Sequence, residues 1–235
     1  MVVELISVGT ELLLGNIVNT NAQFLAEKCA SLGLSMYHQV TVGDNRERLA
    51  EDINTALQRA DIIILTGGLG PTEDDITKEV CAEVMGFKLV EDPHTRERIE
   101  TYFKNSIYPV ITENNWKQAL IPEGCKVLDN HNGTAPGLIL EKAGKAAILL
   151  PGPFNELKPL FLDAVSPYLQ ELQPEVIRSQ MIKICGHGES QVADQIKDLI
   201  AAQTNPTIAP YAKTAEVHLR VTARAADDET AKSLI

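Results

Sequence analysis

The sequence predicts an α/β fold, a mostly parallel sheet with helices on both faces, followed by a small α+β unit. Three observations predict it. The runs "DIIIL" and "AAILL" are short and continuously apolar, as in strands covered on both sides. Segments with strand character alternate with segments of helical period through the first part of the chain. After "QELQPEV" the order changes to strand, helix, strand, strand. The boundaries expected are 1–172 for the first domain and 173–235 for the second.

"VVELISVG" reads as a buried strand. "NTNAQFLAEKCASLG" reads as a helix, with Asn19 or Thr20 able to cap it, Leu25, Cys29 and Leu32 on one face, and Gly33 just past its end. "MYHQVTVG" is the second strand. "NRERLAEDINTALQRA" is a helix with Leu49, Ile53 and Leu57 on one stripe. "DIIIL" is the third strand, followed by a glycine loop and a helix carrying Ile76, Val80 and Val84 that Gly86 ends. From Asp92 to Leu120 the reading is helical, with a break at Pro109. "KVLD", "GLILEK" and "KAAILLPG" are short strands, the last two a hairpin around "AGK". A helix from Phe154 to Leu169 closes the domain despite Pro159 and Pro167. In the second domain come "RSQMIKIC", the helix "SQVADQIKDLIAAQ", then "TIAPYA" and "EVHLRVTARA". The last residues, "DDETAKSLI", read as a helix without a stop signal, so a longer parent protein is expected.

The chain has 235 residues, a formal charge of −11 and 44% hydrophobic residues. That charge argues against nucleic-acid and acidic-membrane partners, since the sequence holds no dense basic run. No apolar run is long enough to span a bilayer. The N-terminus lacks a basic leader and a cleavage site. Cys29, Cys81, Cys125 and Cys185 are far apart, which fits reduced thiols and a cytoplasmic location.

The chemistry concentrates in turns that follow predicted strands. In "TGGLGPTEDDIT", Gly67, Gly68 and Gly70 could let the backbone approach a phosphate at a helix N-terminus. Taken alone, this cluster reads better as a tight turn with a capping box, Thr72 capping and Asp75 answering. One acid suffices for that cap. Two, Asp74 and Asp75, at a phosphate site suggest magnesium. In "SVGTELLLGNIVNTN", Gly9 and Thr10 could supply a backbone donor and a hydroxyl, Glu11 a metal ligand, and Asn19 and Asn21 amides for a sugar or base. A solvated Glu11 and a capping Asn19 are the simpler reading of that segment by itself. Asp44 in "VGDN" reads first as a helix cap. Asn132, Gly133 and Thr134 form a polar turn, and "LPGPFNE" brings Pro151, Gly152 and Glu156 to another strand end. Lys117 could meet a phosphate, though a solvated lysine is the default. The five histidines are scattered, so the chemistry expected is that of carboxylates and metal.

Together and in order, "GTELLLGNIVNTNAQFLA", "TGGLGPTEDDIT", "NGTAPG", "LPGP", "CGHGES" and "NPTIAPYA" resemble the competence-damage-inducible CinA family along essentially the whole chain. The first domain also resembles the wider molybdopterin-binding family of the MoaB and MogA kind. Asp75 falls on the acid shared with that family, and Asp44 matches its second acid. The resemblance implies a three-layer α/β/α domain, a KH-like α+β domain and a homodimer. It implies a metal-dependent ADP-ribose pyrophosphatase releasing AMP and ribose 5-phosphate, with magnesium held among Glu11, Asp44, Asp74, Asp75 and Glu156. The catalytic residues implied are Asp75, Asp74 and Glu11. A pterin-binding adenylyl-transferase-like protein, or a non-enzymatic competence-related binding module, are the alternatives. A further domain that deamidates nicotinamide mononucleotide, carried by many members, is absent from these residues. The chain departs from the family pattern at Phe154, where a proline is usual, at Trp116, where a basic residue is common, and at His187, where an apolar one is.

Overall fold

The computed structural model describes residues 1–107, 109–173, 175–213 and 216–235. They form two compact units, one of 1–29 with 34–168 and one of 30–33 with 169–235. Pro174, inside the boundary segment expected from sequence, lies outside the described residues.

The first part of the chain runs β1 (Val2–Val8), α1 (Thr10–Leu13), α2 (Thr20–Ser31), β2 (Ser35–Val42), α3 (Arg46–Arg59), β3 (Ile62–Thr66) and α4 (Thr77–Met85). It continues through β4 (Leu89–Glu91), α5 (Pro93–Lys104), β5 (Leu120–Pro122), β6 (Lys126–Leu128), β7 (Gly137–Lys142), β8 (Lys145–Leu150), α6 (Phe154–Leu160) and α7 (Ser166–Leu172). The main sheet has the order β2-β1-β3-β8-β7-β6. The four strands β2, β1, β3 and β8 are mutually parallel, and β7 and β6 continue antiparallel. Register is tight at the C-terminal ends: Val8 lies beside Val42, Ser7 beside Thr66, and Thr66 beside Leu150. The chain therefore leaves the sheet at Gly9, Gly43, Gly67 and Pro151 along one edge. The turn from β6 to β7 reaches the same edge, because β7 runs the other way.

The continuous apolar strands are buried on both faces. Ile6, Ile63, Leu65, Leu138 and Leu149 pack in one core with Leu49 and Ile53 of α3 and Val80 and Cys81 of α4. Leu5, Ile64 and Ile148, on the other face by alternation, are also fully buried. Asn45 caps α3 by accepting the Arg48 N–H at 3.1 Å. The β7–β8 hairpin turns through Ala143 and Gly144, both at positive φ (52° and 76°), the pair a type I′ turn requires.

Four elements differ from the sequence reading. The region expected as a helix from Asp92 to Leu120 holds α5, a separate 3₁₀ helix Glu113–Ala119, and the start of β5, which pairs antiparallel with β4. Asp92 and Pro93 start α5 firmly, the Asp92 carboxylate accepting the Thr95 N–H at 2.8 Å. The 3₁₀ helix starts separately, where Asn115 Oδ1 accepts the Thr112 N–H at 2.9 Å. The helix after the glycine loop begins at Thr77, so Asp74 and Asp75 lie in a turn before it and not in its first turn. The closing helix passes through a π segment, Phe161–Val165, between α6 and α7. Pro159 cannot donate to the Asn155 carbonyl four residues back; the Asn132 side-chain amide donates to it instead, at 2.8 Å.

The second unit holds β9 (Val176–Cys185), α8 (Glu189–Gln195), α9 (Lys197–Ala202), β10 (Thr207–Lys213), β11 (Glu216–Ala225) and α10 (Asp228–Ser233). Its antiparallel sheet has the order β10-β11-β9. Val192, Val217 and Leu219 form its core, with Ile184, Ile196 and Ile208 packed against them. The single helix expected for "SQVADQIKDLIAAQ" is broken at Ile196, whose φ of −109° and ψ of 11° leave the helical range. Among the described residues no helix is long and apolar enough to cross a membrane.

Candidate functional site

The common strand edge opens into a cavity of about 720 Å³. It is lined by Gly9, Glu11, Asn19, Asn21, Asp44, Gly67, Gly68, Gly70, Asp74, Asp75, Thr134, Pro151, Gly152 and Glu156, all expected from the sequence. Thr10, Lys117, Asn132 and Gly133, also expected, are not among its lining residues.

The glycines also answer to close approaches within the protein. Gly67 sits at φ 95°, and a Cβ there would fall on the Val8 carbonyl oxygen; at Gly68 it would fall on the Thr77 hydroxyl. Both are required by the loop's own packing. Gly9, Gly70 and Gly133 make room for acids: a Cβ on Gly9 would lie 2.6 Å from Glu11 Oε1, and one on Gly70 or Gly133 would enter the carboxylate of Asp75 or Glu156. Three carboxylates thus fold down onto backbone that lacks a side chain.

The acids are oriented by short-range partners. Asp75 Oδ2 accepts the Thr72 N–H at 3.0 Å and the Thr72 hydroxyl. That is the returning half of the expected capping box, closing a turn and not a helix. Asp44 is not a cap: its Oδ2 accepts the Thr10 N–H at 2.9 Å and the Thr10 hydroxyl at 2.8 Å, tying the end of β2 to the end of β1. The Thr10 hydroxyl is thereby engaged, and also accepts the Asp44 N–H at 3.2 Å. Glu156 Oε2 accepts from the Asn130 amide at 2.6 Å. Burial pushes the Glu156 carboxyl above its ordinary range, and the Asn130 bond opposes this. The Asp74 carboxyl is held below its range by the Thr72 hydroxyl first, a single donor for which Asp75 competes, then by its own backbone N–H, with the charge of Lys117 contributing less.

The amides and Lys117 mainly serve the protein. Asn19 caps α2 by accepting the Ala22 N–H at 3.0 Å and donates to Ser7 at 2.9 Å. Asn21 donates to Thr66 Oγ1 at 3.1 Å and to the Gly152 carbonyl at 2.7 Å, leaving its own carbonyl oxygen as the group it offers the cavity. The Lys117 ammonium donates to the Thr72 carbonyl at 2.8 Å and to that of Asp75, so in this arrangement it grips the acidic turn. Trp116 lies under Arg96, whose guanidinium is 3.9 Å from the ring centroid, and does not line the cavity.

Sequence reasoning missed several residues, three of them polar or aromatic groups at or beside the cavity. Asn130 is 1% exposed and donates to Glu156 and, at 2.8 Å, to the Ala135 carbonyl. Gln118 lines the cavity, with its amide nitrogen 3.2 Å from the Leu69 carbonyl and its Oε1 buried without a partner. Phe154, noted only as a departure from a pattern, lines the cavity directly. No sequence signal marks the first two. An aromatic at a strand-to-helix turn was the available signal for the third.

Among the described residues, five carboxylates line the cavity, and no lysine, arginine or histidine does. Among the described residues, no three His, Cys, Asp or Glu side chains gather as a ready-made metal cage. The donor set nevertheless suits a hard cation. Magnesium takes one or two carboxylates and completes its octahedron with water and phosphate oxygens, so a full protein cage is not required.

The family described as "Probable molybdopterin binding domain" matches residues 4–171, and the "Damage-inducible protein CinA KH domain" matches residues 179–235. A Clostridium beijerinckii protein named for competence-damage induction is 54% identical over 235 residues, all of this chain and 57% of that one. A CinA-like protein of Kosmotoga olearia is 52% identical over the same span, again 57% of its length. The chain thus spans a little over half the length of the curated relatives it matches. The crystal structure of CinA from Thermoplasma acidophilum is similar at a TM-score of 0.66 and 33% identity, covering 72% of this chain and 97% of that one. The chain belongs to the CinA family, with a domain of the probable molybdopterin binding family followed by a CinA KH domain.

Proposed function

We propose that the first domain binds a phosphorylated small molecule of molybdopterin or nucleotide type, together with a divalent cation. The observation that carries this is the lining of the cavity. A phosphate entering among five carboxylates, without a cationic side chain to receive it, is repelled unless a cation enters too. Asp74 and Asp75 would hold the ion from the acidic turn, with Glu11, Asp44 and Glu156 within the same cavity. Family membership favours a pterin-type ligand over a particular reaction.

A second, finer reading is hydrolysis of a diphosphate such as ADP-ribose to AMP and ribose 5-phosphate. The placement of two carboxylates in different surroundings of one cavity favours it: Asp74 is exposed and Glu156 is half-buried beneath the Asn130 amide, so the pair could divide charge and proton duties. A bound divalent ion would withdraw charge from phosphorus and acidify a water. Asp74 would remain ionised. Glu156 would take one proton of the attacking water as the water's oxygen bonds to phosphorus; the bond from phosphorus to the bridging oxygen would break, and that proton would pass to the departing phosphate, restoring the carboxylate.

The test is a ligand panel with magnesium present: ADP-ribose, AMP, inorganic pyrophosphate and a phosphorylated pterin. Micromolar binding of at least one organic phosphate supports the binding reading, and chromatographic detection of AMP from ADP-ribose supports the hydrolytic one. Binding without AMP release rejects hydrolysis alone. No binding by any of the four rejects both.

A further inference from the structure

We infer that Phe154 is the stacking platform for a flat heterocycle joined to the phosphate of the ligand, an inference that rests on the binding function proposed above. Phe154 is 40% exposed, yet it lines the cavity beside the carboxylates. Its ring is held in place: it meets Phe24 edge to face, with centroids 5.4 Å apart and planes at 89°, and Phe24 meets Phe161 in the same way at 5.7 Å. The Lys158 ammonium lies 5.9 Å from the Phe154 centroid.

The surroundings extend the apolar surface. Ile17 and Val18 also line the cavity and are 54% and 81% exposed. The hydrogen bond from Asn21 to the Gly152 carbonyl ties their segment to the loop that leads into Phe154. Three apolar side chains at the mouth of an acidic cavity gain nothing from facing water. A ligand with an ionic end and a planar aromatic end matches both parts of the lining. Adenine and a pterin share that chemistry, and aromatic side chains accept any such π-face.

Phe154 is the first residue of α6, following Pro153 at φ −61° and ψ 127°. A proline fits the first helical position, and Pro153 already has the extended conformation that a following proline demands. Phe154→Pro therefore removes the ring and keeps the helix start, while Phe24 retains its contact with Phe161. Phe154→Tyr keeps the ring.

The experiment is calorimetric titration of wild type, Phe154→Pro and Phe154→Tyr, with magnesium, using ADP-ribose, a phosphorylated pterin, ribose 5-phosphate and inorganic pyrophosphate, beside a thermal melt. We expect Phe154→Pro to lose roughly ten- to a hundredfold in affinity for whichever heterocyclic ligand the wild type binds, the range measured for base–aromatic stacking. Pyrophosphate and ribose 5-phosphate affinities should change less than about twofold, and Phe154→Tyr should restore heterocycle binding. A preference for ADP-ribose or for the pterin identifies the ring. Unchanged heterocycle affinity in Phe154→Pro, or an equal loss for pyrophosphate, overturns the stacking role while leaving the cation-dependent phosphate site standing. Wild-type protein that binds none of the four ligands overturns both readings.

Discussion

Replacing Lys117 by methionine separates a positioning role from direct contact with ligand. The ammonium donates to the carbonyls of Thr72 and Asp75, which flank the acidic pair. Hydrogen bonds from a charged donor contribute about 1.5–3 kcal/mol each when well shielded. Lys117 is half-buried and the turn it holds is exposed, so solvent takes over part of both bonds. We expect a total loss of about 2 kcal/mol for Lys117→Met, since methionine keeps most of the apolar stem. For a chain of this size that corresponds to a fall of about 4–8 °C in Tm. Ligand affinity in magnesium should fall only about three- to tenfold, because a looser turn holds Asp74 and Asp75 less well while every group facing the cavity remains. The assay is a thermal melt beside calorimetric titration. An unchanged Tm with an affinity loss above about a hundredfold would show that Lys117 touches the ligand, and the positioning argument would be wrong.

The remaining predictions are shorter. Gly67→Ala places a methyl on the Val8 carbonyl at a φ of 95° and should cost on the order of 2–4 kcal/mol in urea unfolding; a loss under about 0.5 kcal/mol would contradict the packing assigned to that glycine. Glu156 titrates higher in the folded chain than in the unfolded one, so its stability contribution is present below the unfolded pKa and is lost as pH rises through the folded pKa. Glu156→Gln should flatten the stability–pH curve in that window, and a curve of unaltered slope would remove Glu156 as the cause. The loop between β9 and α8, Gly186–Gly188, carries no lysine or arginine and is followed by Glu189, so the whole chain should not bind RNA. Salt-sensitive binding below about a micromolar in a filter assay would refute this.

The sheet was legible because two of its central strands obey one simple constraint: buried on both faces, the runs "IIIL" after Asp61 and "AAILL" have no polar residue to place. The cavity was legible for a related reason. Parallel strands deliver their C-terminal turns to one edge, so recognising strands was enough to bring Glu11, Asp44, Asp75 and Pro151 together. What the sequence hid were contacts across long separations. Lys117 grips residues more than forty positions away, and Asn130 holds Glu156 over a separation of 26. The glycines' internal contacts were hidden because a missing Cβ looks the same in sequence whether it makes room for a ligand or for the protein's own carboxylate. The region from Asp92 to Leu120 was misread because helical spacing concealed a second start at Thr112 and the short pairing of β4 with β5.

The central claim is that a divalent cation carries a phosphorylated ligand into an acidic cavity. Titrating the ligand selected by the panel into wild-type, Asp74→Asn and Asp75→Asn protein, in magnesium and in chelator, tests it most directly. Asparagine can still accept the Thr72 N–H at position 75, so the melts should move by less than about 1 kcal/mol. The account predicts binding in magnesium only, weakened at least about tenfold by one or both substitutions, because a neutral amide is a poorer magnesium ligand than a carboxylate. Equal binding in chelator, or wild-type affinity in both variants, would contradict it and leave Asp74 and Asp75 as no more than the acids that close a turn.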